Sequence, residues 1–168
     1  VRIHSTSGTT GKRVVAFYTQ HDVDLWEDCC ARALVAAGAT NEDVCQVSYG
    51  YGLFTGGLGA HMGGEVAGCT VVPMSTGNTK RQIQIMKDFG TDILCATPSY
   101  ALLIADTAIE MGYDPAKDFP ISGVILGAEP ASEHMREEIR QKFGVKYCDV
   151  YGLSEIMGPG VAMECSES

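Results

Sequence analysis

The stretch from Ser5 to Lys12 concentrates residue types that suit the binding of a polyanion. Its eight positions hold five hydroxyl residues, two glycines and one lysine. Glycines let the backbone approach phosphate oxygens closely and turn its N–H groups toward them. The hydroxyls add donors, and the Lys12 ammonium group adds a compact positive charge. The composition predicts a phosphate-binding loop. The alternative is a polar hairpin loop without a ligand, although turn chemistry needs only one or two such residues.

The spacing within this loop excludes a Walker A motif. That motif needs four residues between its glycines, followed by Lys and then Ser or Thr. Here only two residues separate Gly8 from Gly11, and Arg13 follows Lys12. The sequence therefore does not predict a P-loop nucleoside triphosphatase.

A second candidate for chemistry is the run from Tyr151 to Glu155, which combines a glycine, a serine and a carboxylate. A carboxylate is a hard oxygen ligand that suits Mg²⁺, whereas the simpler interpretation is a solvated glutamate in a loop. The run also approaches the G-x-S-x-G elbow of serine hydrolases. Because Ile156 stands where the last glycine is required, that interpretation is not supported.

Apolar runs alternate with segments of helical periodicity along the chain. Asp22 and Ser132 are predicted helix N-caps, and Gly38, Gly90 and Gly144 are predicted stops. The pattern predicts an α/β fold with a mostly parallel sheet flanked by helices. The predicted strands cover 14–18, 43–49, 70–73, 92–96, 123–126 and 145–151, and the predicted helices cover 23–37, 80–89, 98–111 and 133–143.

Three glycine-containing turns, 50–55, 127–130 and 152–155, each follow a predicted strand. In parallel sheets the carboxyl ends of the strands meet at one edge, where ligands bind. The order of the elements therefore predicts that these turns line one site.

Composition limits the class of protein. The 168 residues are 45% hydrophobic and 20% charged, which fits one globular domain or part of one. A net charge of −9 with scattered basic residues argues against a nucleic-acid partner. No apolar stretch has the length of a membrane span. The seven cysteines contain no C-x-x-C pair, which predicts buried thiols in a reducing cytosol.

Four segments, taken in order, resemble the signature of the phenylacetate–CoA ligases, a family of adenylate-forming enzymes. They are YGYGLFTGGLG at 49–59, TPSY at 97–100, GAEP at 127–130 and YGLSEIMGPGV at 151–161. The phosphate loop also resembles that of the adenylate-forming enzymes. Together the motifs extend over nearly the whole chain.

The resemblance implies a cytoplasmic ligase that activates phenylacetate, or a related aryl acid, with ATP and Mg²⁺. The acyl-adenylate would then pass its acyl group to coenzyme A. The resemblance implies neither a nucleic-acid nor a membrane partner, and it leaves a homodimer open. Residues 1–168 would form a fragment of the large AMP-binding domain, separated from its C-terminal domain. We expect such a fragment to be inactive alone.

The resemblance also implies roles for particular residues. Lys12 and Glu155 would be catalytic, with Glu155 holding Mg²⁺. Tyr49 and Phe54 would form the wall for the aryl ring, although aromatic residues alone would more often belong to a core. The nucleotide would be bound by Ser5, Ser7, Gly8, Thr9, Thr10, Gly11, Lys12, Gly127, Ala128, Glu129, Pro130, Asp149, Tyr151, Gly152 and Ser154.

The sequence departs from the family pattern at two positions. Arg13 stands where the family usually has proline, and Ala131 stands where it usually has tryptophan. The change at Ala131 leaves the identity of the aryl acid open. A structural zinc site at Cys165 also stays open.

Two other functions remain as alternative interpretations of the sequence: a nucleotide-binding α/β module without catalysis and an oxidoreductase of the Rossmann type. The latter rests on the Gly57-x-Gly59-x-x-x-Gly63 spacing, which lacks a preceding strand and an acidic partner.

Overall fold

The structure, a computed structural model, describes residues 2–6, 8 and 11–165. This part contains eight strands and five helices. The strands are β1 (Arg2–Ser5), β2 (Val15–Tyr18), β3 (Val44–Val47), β4 (Thr70–Pro73), β5 (Ile93–Ala96), β6 (Gly123–Gly127), β7 (Tyr147–Leu153) and β8 (Gly158–Met163). The helices are α1 (Gln20–Ala36), α2 (Gly56–Ala67), α3 (Thr79–Phe89), α4 (Pro98–Glu110) and α5 (Glu133–Phe143), and a 3₁₀ turn covers Ser154–Ile156.

The large sheet has the strand order β4-β3-β5-β6-β7-β8. Its first five strands run parallel, and β8 pairs antiparallel with β7 at one edge. Parallel neighbours cannot be joined by a tight turn, so helices cross from one strand to the next. The predicted α/β fold with a mostly parallel, helix-flanked sheet is confirmed.

Helices cover both faces of this sheet, because alternate residues of a strand point to opposite sides. In β5, Leu94 and Ala96 pack in one core cluster with α3, α4 and α5, whereas Ile93 and Cys95 pack in another with α1 and α2. All four residues are fully buried, as expected for a central parallel strand. Because helices cover both faces of the large sheet, polar turns can lie together only at its edges, such as the edge formed by the carboxyl ends of its parallel strands.

Strands β1 and β2 form a separate antiparallel hairpin that carries the phosphate loop. Arg2 lies opposite Tyr18, and Ser5 lies opposite Val15. Tyr18 packs in a third apolar cluster with Trp26 of α1 and side chains of α2. This cluster attaches the hairpin to the body of the domain.

The first helix begins at Gln20 instead of Val23, and its N-cap is Thr19 rather than the predicted Asp22. The Thr19 hydroxyl accepts the Asp22 backbone N–H at 3.2 Å, and the Asp22 carboxylate accepts the Thr19 N–H at 2.8 Å. These reciprocal bonds form a capping box. Asp22 is therefore the third helical residue, and the prediction was displaced by one turn.

Helix α2 and strand β8 were not predicted. The glycine-dense segment 50–68 contains α2, whose buried glycines let the helix lie close to its neighbours. Strand β8 contains Pro159, which is tolerated because the strand lies at a sheet edge. In addition, β7 extends to Leu153, so Gly152 and Leu153 belong to the strand rather than to the predicted turn 152–155.

The predicted burial of most thiols is confirmed for Cys30, Cys45, Cys69, Cys95 and Cys148. All seven cysteines lie in the described part, and no disulfide joins any of them. Within the same part, no helix has the length and apolar character needed to cross a membrane.

Candidate active site

A cleft of 730 Å³ opens at the carboxyl edge of the large sheet. Small-molecule sites typically have volumes of roughly 300–1,000 Å³. The phosphate loop, the three glycine-containing turns and the start of α2 form its walls. The fold thus collects predicted site residues that lie far apart in the sequence. Those that line the cleft are Gly8, Lys12, Tyr49, Phe54, Gly127, Ala128, Gly152, Ser154 and Glu155.

The phosphate loop is closed by short-range hydrogen bonds. The Gly11 N–H donates to the Gly8 carbonyl at 3.0 Å, and both glycines have a positive φ. At the base of the loop, the Thr6 N–H donates to the Val14 carbonyl at 3.0 Å, and the Val14 N–H donates to the Thr6 hydroxyl at 3.1 Å. Lys12 is exposed and lines the cleft, so its ammonium group can reach an anion there.

Among the described residues of the predicted loop, two that were expected to bind the nucleotide, Ser5 and Gly11, do not line the cleft. Ser7, Thr9 and Thr10 lie outside the described residues. Ser5 belongs to β1 and is 3% exposed, and its backbone N–H donates to the Leu53 carbonyl at 3.0 Å. The structure therefore gives Ser5 an anchoring position under the loop rather than a place at the cleft.

Glu155 is exposed at the cleft in the 3₁₀ turn that follows β7. A hydrogen bond from β2 anchors this turn: the Tyr18 hydroxyl donates to the Ser154 carbonyl at 3.3 Å. Burial raises the pKa of Tyr18, and the nearby carboxylates add to the effect, so the hydroxyl keeps its proton at neutral pH. Gly152 precedes the turn, and a Cβ at this position would overlap with the Gly158 carbonyl oxygen. Only glycine fits there.

Two aromatic residues line the cleft beside α2. Tyr49 is buried, and its hydroxyl donates to the Ile125 carbonyl at 3.1 Å. Burial raises the pKa of Tyr49 well above its ordinary value, so this hydroxyl stays protonated. Phe54 is 51% exposed and presents an apolar surface to the cleft. Tyr49 also packs in the core cluster with α1 and α2, whereas the exposed Phe54 ring has free apolar area that an aryl ligand could contact.

A second cavity, of 620 Å³, adjoins the first. Four residues line both cavities: Ala128, Val150, Gly152 and Leu153. Ala128 has a φ of +72°, which is uncommon for a residue other than glycine, so the junction carries backbone strain. The predicted site residues that line only the second cavity are Glu129, Pro130, Asp149 and Tyr151.

Arg136, which the sequence did not single out, contributes a positive charge to the second cavity. Its guanidinium group donates to the Asp149 carboxylate at 2.9 Å and to Glu164 at 3.1 Å, and it lies over the Tyr147 ring. Burial raises the pKa of Asp149, and the Arg136 charge opposes this effect. In the sequence Arg136 looks like the other charged residues of α5. Only the packing of α5 beside β7 reveals its position.

Glu129 lines the second cavity, but its carboxylate also contacts the start of α4. One oxygen accepts the Ser99 backbone N–H at 2.6 Å. Partial burial would raise the pKa of Glu129, but hydrogen bonds from Ser99 and Thr97 outweigh it and lower the pKa. Glu129 therefore makes a structural contact with α4 in addition to its predicted role in nucleotide binding.

Carboxylate, imidazole and thiol groups are the usual protein ligands of metal ions. Among residues 2–6, 8 and 11–165, no group of three or more His, Cys, Asp or Glu side chains is arranged to hold a metal ion. A zinc site at Cys165 therefore gains no support in that part of the chain. Mg²⁺ bound to a nucleotide needs only one or two carboxylates together with phosphate oxygens and water. The exposed Glu155 carboxylate at the cleft fits that requirement.

The parallel sheet, the glycine-containing turns at its carboxyl edge and the loop with Lys12 together define a nucleotide-binding α/β domain. Residues 3–167 match the family described as AMP-binding enzyme. The chain belongs to this family.

Curated relatives are similar along the whole chain. It is 54% identical over 168 residues to a phenylacetate-coenzyme A ligase of Pseudomonas putida. It is 52% identical over 169 residues to a protein of the same name from Escherichia coli (strain K12). Both comparisons cover 100% of this chain and 38% of the relative, so the chain spans little more than a third of the length of these relatives.

A solved structure has the same fold. The open conformation of 2-hydroxyisobutyryl-CoA ligase, in complex with 2-HIB-AMP and CoA, superposes with a TM-score of 0.86. The comparison covers 99% of this chain and 41% of that chain. At 23% identity the similarity shows the fold alone.

Proposed function

We propose that the chain carries the ATP- and acid-binding cleft of an AMP-forming ligase for phenylacetate or a related aryl acid. One observation carries the proposal: Lys12 of the phosphate loop, the Glu155 carboxylate and the aromatic pair Tyr49 and Phe54 line one cleft. The names of the relatives, which are about half identical to the chain over its whole length, support the choice of substrate.

The first reaction joins two anions. A carboxylate oxygen of the acid attacks the α-phosphorus of ATP, the bond to the β-phosphate oxygen breaks, and pyrophosphate leaves. Lys12 and the N–H groups of the phosphate loop would stabilise the negative charge that spreads over the phosphates in the transition state. No side-chain nucleophile is needed, because the acid itself supplies the attacking oxygen.

Glu155 would hold Mg²⁺ against the phosphates, where the ion supplies charge neutralisation. Its exposed position in the 3₁₀ turn leaves room for phosphate oxygens and water as the remaining ligands. Tyr49 and Phe54 would hold the aryl ring, so that the carboxylate is oriented toward ATP before it reacts.

In the second reaction the CoA thiol attacks the acyl carbon, the bond to AMP breaks, and the thiol proton is released. Because the chain spans 38% of the length of its relatives, we propose that the complete reaction takes place in a longer protein. Residues 1–168 would form part of its large domain. The cytoplasm, which supplies ATP and CoA, is the proposed location, and a homodimer stays a prediction.

The test uses the full-length protein encoded by the gene that carries this sequence. It is supplied with ATP, Mg²⁺, CoA and one of three acids: phenylacetate, benzoate or acetate. Chromatography with mass detection follows AMP and acyl-CoA. We expect equal amounts of AMP and phenylacetyl-CoA, and much less product from acetate. If no acid yields AMP, or if ADP forms instead, the proposed function is wrong.

A further inference from the structure

Three rings, those of His4, Tyr18 and Trp26, pack against one another behind the cleft. The His4 ring centroid lies 5.2 Å from that of Tyr18 and 5.3 Å from that of Trp26, both edge to face. Tyr18 and Trp26 are 5.5 Å apart. All three side chains are at most 4% exposed, and none lines the cleft. We refer to His4, Tyr18 and Trp26 as the ring cluster.

The ring cluster is bonded to two walls of the cleft. His4 Nδ1 donates to the Leu53 carbonyl at 3.0 Å, next to Phe54. The Tyr18 hydroxyl donates to the Ser154 carbonyl at 3.3 Å, next to Glu155. His4 and Tyr18 themselves belong to β1 and β2, the two strands that flank the phosphate loop. The ring cluster therefore connects three segments that face the cleft.

Trp26 limits movement of the ring cluster because it is tightly enclosed. A Cβ at Gly59 of α2 would lie 2.8 Å from Cζ2 of the indole and 2.8 Å from Cγ of Pro159 in β8. One helical turn beyond Trp26, the Cys30 thiol donates to the Pro159 carbonyl at 3.0 Å. The indole thus fills the space between α1, α2 and β8, and β8 follows directly on the Glu155 turn.

The two groups proposed to act on the phosphates, Lys12 and Glu155, come from opposite ends of the chain. Sites of this kind require their groups to be held within about 0.5 Å of the productive arrangement. No side-chain hydrogen bond involves Lys12 or Glu155 among the described residues, so their placement depends on the backbone segments that carry them. The bond from Tyr18 to Ser154 joins the Glu155 turn to β2, the strand that leads out of the phosphate loop.

We propose that Tyr18 is a positioning residue that fixes the Glu155 turn relative to the phosphate loop through its hydroxyl group. The role in ATP use rests on the proposed function. The role in holding the turn does not, because it follows from the Tyr18 to Ser154 bond alone. Substitution Tyr18→Phe removes this bond and keeps the ring in the ring cluster.

The matched control is Tyr113→Phe. Like Tyr18, Tyr113 is in edge-to-face contact with another ring, that of Phe119, although Tyr113 is only partly buried. Its hydroxyl makes no hydrogen bond within the described part of the chain. Both variants lose one hydroxyl and keep one packed ring, so a difference between them reports the lost bond.

The first measurement is amide hydrogen exchange in the protein without ligand. We expect Tyr18→Phe to accelerate exchange in the peptide that contains residues 153–158 by roughly threefold to tenfold, the factor that one lost hydrogen bond produces. Peptides from α3, α4 and α5 should be unchanged, and Tyr113→Phe should leave residues 153–158 unaffected. Equal exchange of residues 153–158 in Tyr18→Phe and the wild type would overturn the proposal.

The second measurement is steady-state kinetics of the full-length protein. We expect Tyr18→Phe to raise the KM for MgATP by roughly threefold to tenfold and to change the KM for phenylacetate less than twofold. An equal rise in both KM values would indicate a general structural effect and would overturn the positioning role. Wild-type protein without acid-dependent activity would instead contradict the proposed function, and the exchange data alone would then decide whether Tyr18 holds the turn.

Discussion

The Glu129 carboxylate accepts a 2.6 Å hydrogen bond from the backbone N–H of Ser99 in the first turn of α4. Glu129 lies in the turn after β6, and Ala128 beside it lines both cavities. A negative charge at a helix N-terminus is favourable, because the first N–H groups of the helix have no partners within it. This one contact therefore stabilises α4 and holds the turn at the junction of the cavities.

We expect Glu129→Gln to lower the free energy of unfolding at pH 7 by about 0.5–1 kcal/mol. The pKa of Glu129 is lowered in the folded state, so the stabilisation is present above the ordinary pKa of a glutamate and is lost as pH falls through the lowered value. Urea unfolding of both proteins between pH 7 and pH 3 measures the difference. The control is Glu42→Gln in an exposed loop. A difference that stays constant to the lowest pH would contradict the role of the charge.

Substitution Glu155→Gln should lower kcat/KM for adenylation by about tenfold or more, because a neutral amide is a poor ligand for Mg²⁺. The exposed position predicts that thermal unfolding stays unchanged. Raising the Mg²⁺ concentration should restore part of the activity. Glu155→Asp, which keeps the charge, should retain more activity than Glu155→Gln. Unchanged adenylation by Glu155→Gln would remove Glu155 from the metal site.

Substitution Phe54→Ala should raise the KM for the aryl acid by about tenfold, because a half-exposed ring at the cleft loses its contact with the ligand. The KM for ATP should change less than twofold. Phe89→Ala is the matched control, since Phe89 is similarly exposed but lies at the end of α3 and does not line the cleft. Equal effects of Phe54→Ala on both substrates would indicate a packing role for Phe54.

Adjacent glycines at the start of α2 should respond to alanine in opposite directions. A Cβ at Gly57 would lie 2.6 Å from the Gly50 carbonyl oxygen, so Gly57→Ala should destabilise the fold by about 1–3 kcal/mol. A Cβ at Gly56 would meet Tyr49 Cγ at 4.0 Å, an ordinary contact, and Gly56→Ala should stabilise by up to about 1 kcal/mol. Urea unfolding measures both values. Equal stability of the two variants would show that the segment relaxes around the added methyl group.

Local signals predicted the elements of the sheet well. The bounds of α5 agree with the prediction at both ends, because Ser132 accepts the Met135 N–H and Gly144 adopts a left-handed conformation. The continuous apolar runs of β5 and β6 are typical of parallel strands buried on both faces. The position of the cleft then follows from the order of strands and helices.

Features that depend on long-range packing were not predictable. Strand β8 is rich in glycine and proline and exists as a strand because it pairs with β7. Helix α2 is rich in glycine because neighbouring backbones lie too close for larger residues. Its local sequence therefore does not favour a helix, and the helix depends on this packing. Arg136 and Asp149 are thirteen positions apart, and only the contact between α5 and β7 brings them together. The buried position of Ser5 likewise depends on a distant partner, Leu53.

The central claim is that the cleft binds ATP and an aryl acid together and forms an acyl-adenylate. The most direct test is exchange of labelled pyrophosphate into ATP by the full-length protein, with Mg²⁺ and without CoA. We expect exchange that depends on phenylacetate and is lost in Lys12→Ala. Exchange that does not require an acid, or no exchange with any aryl acid, would contradict the claim.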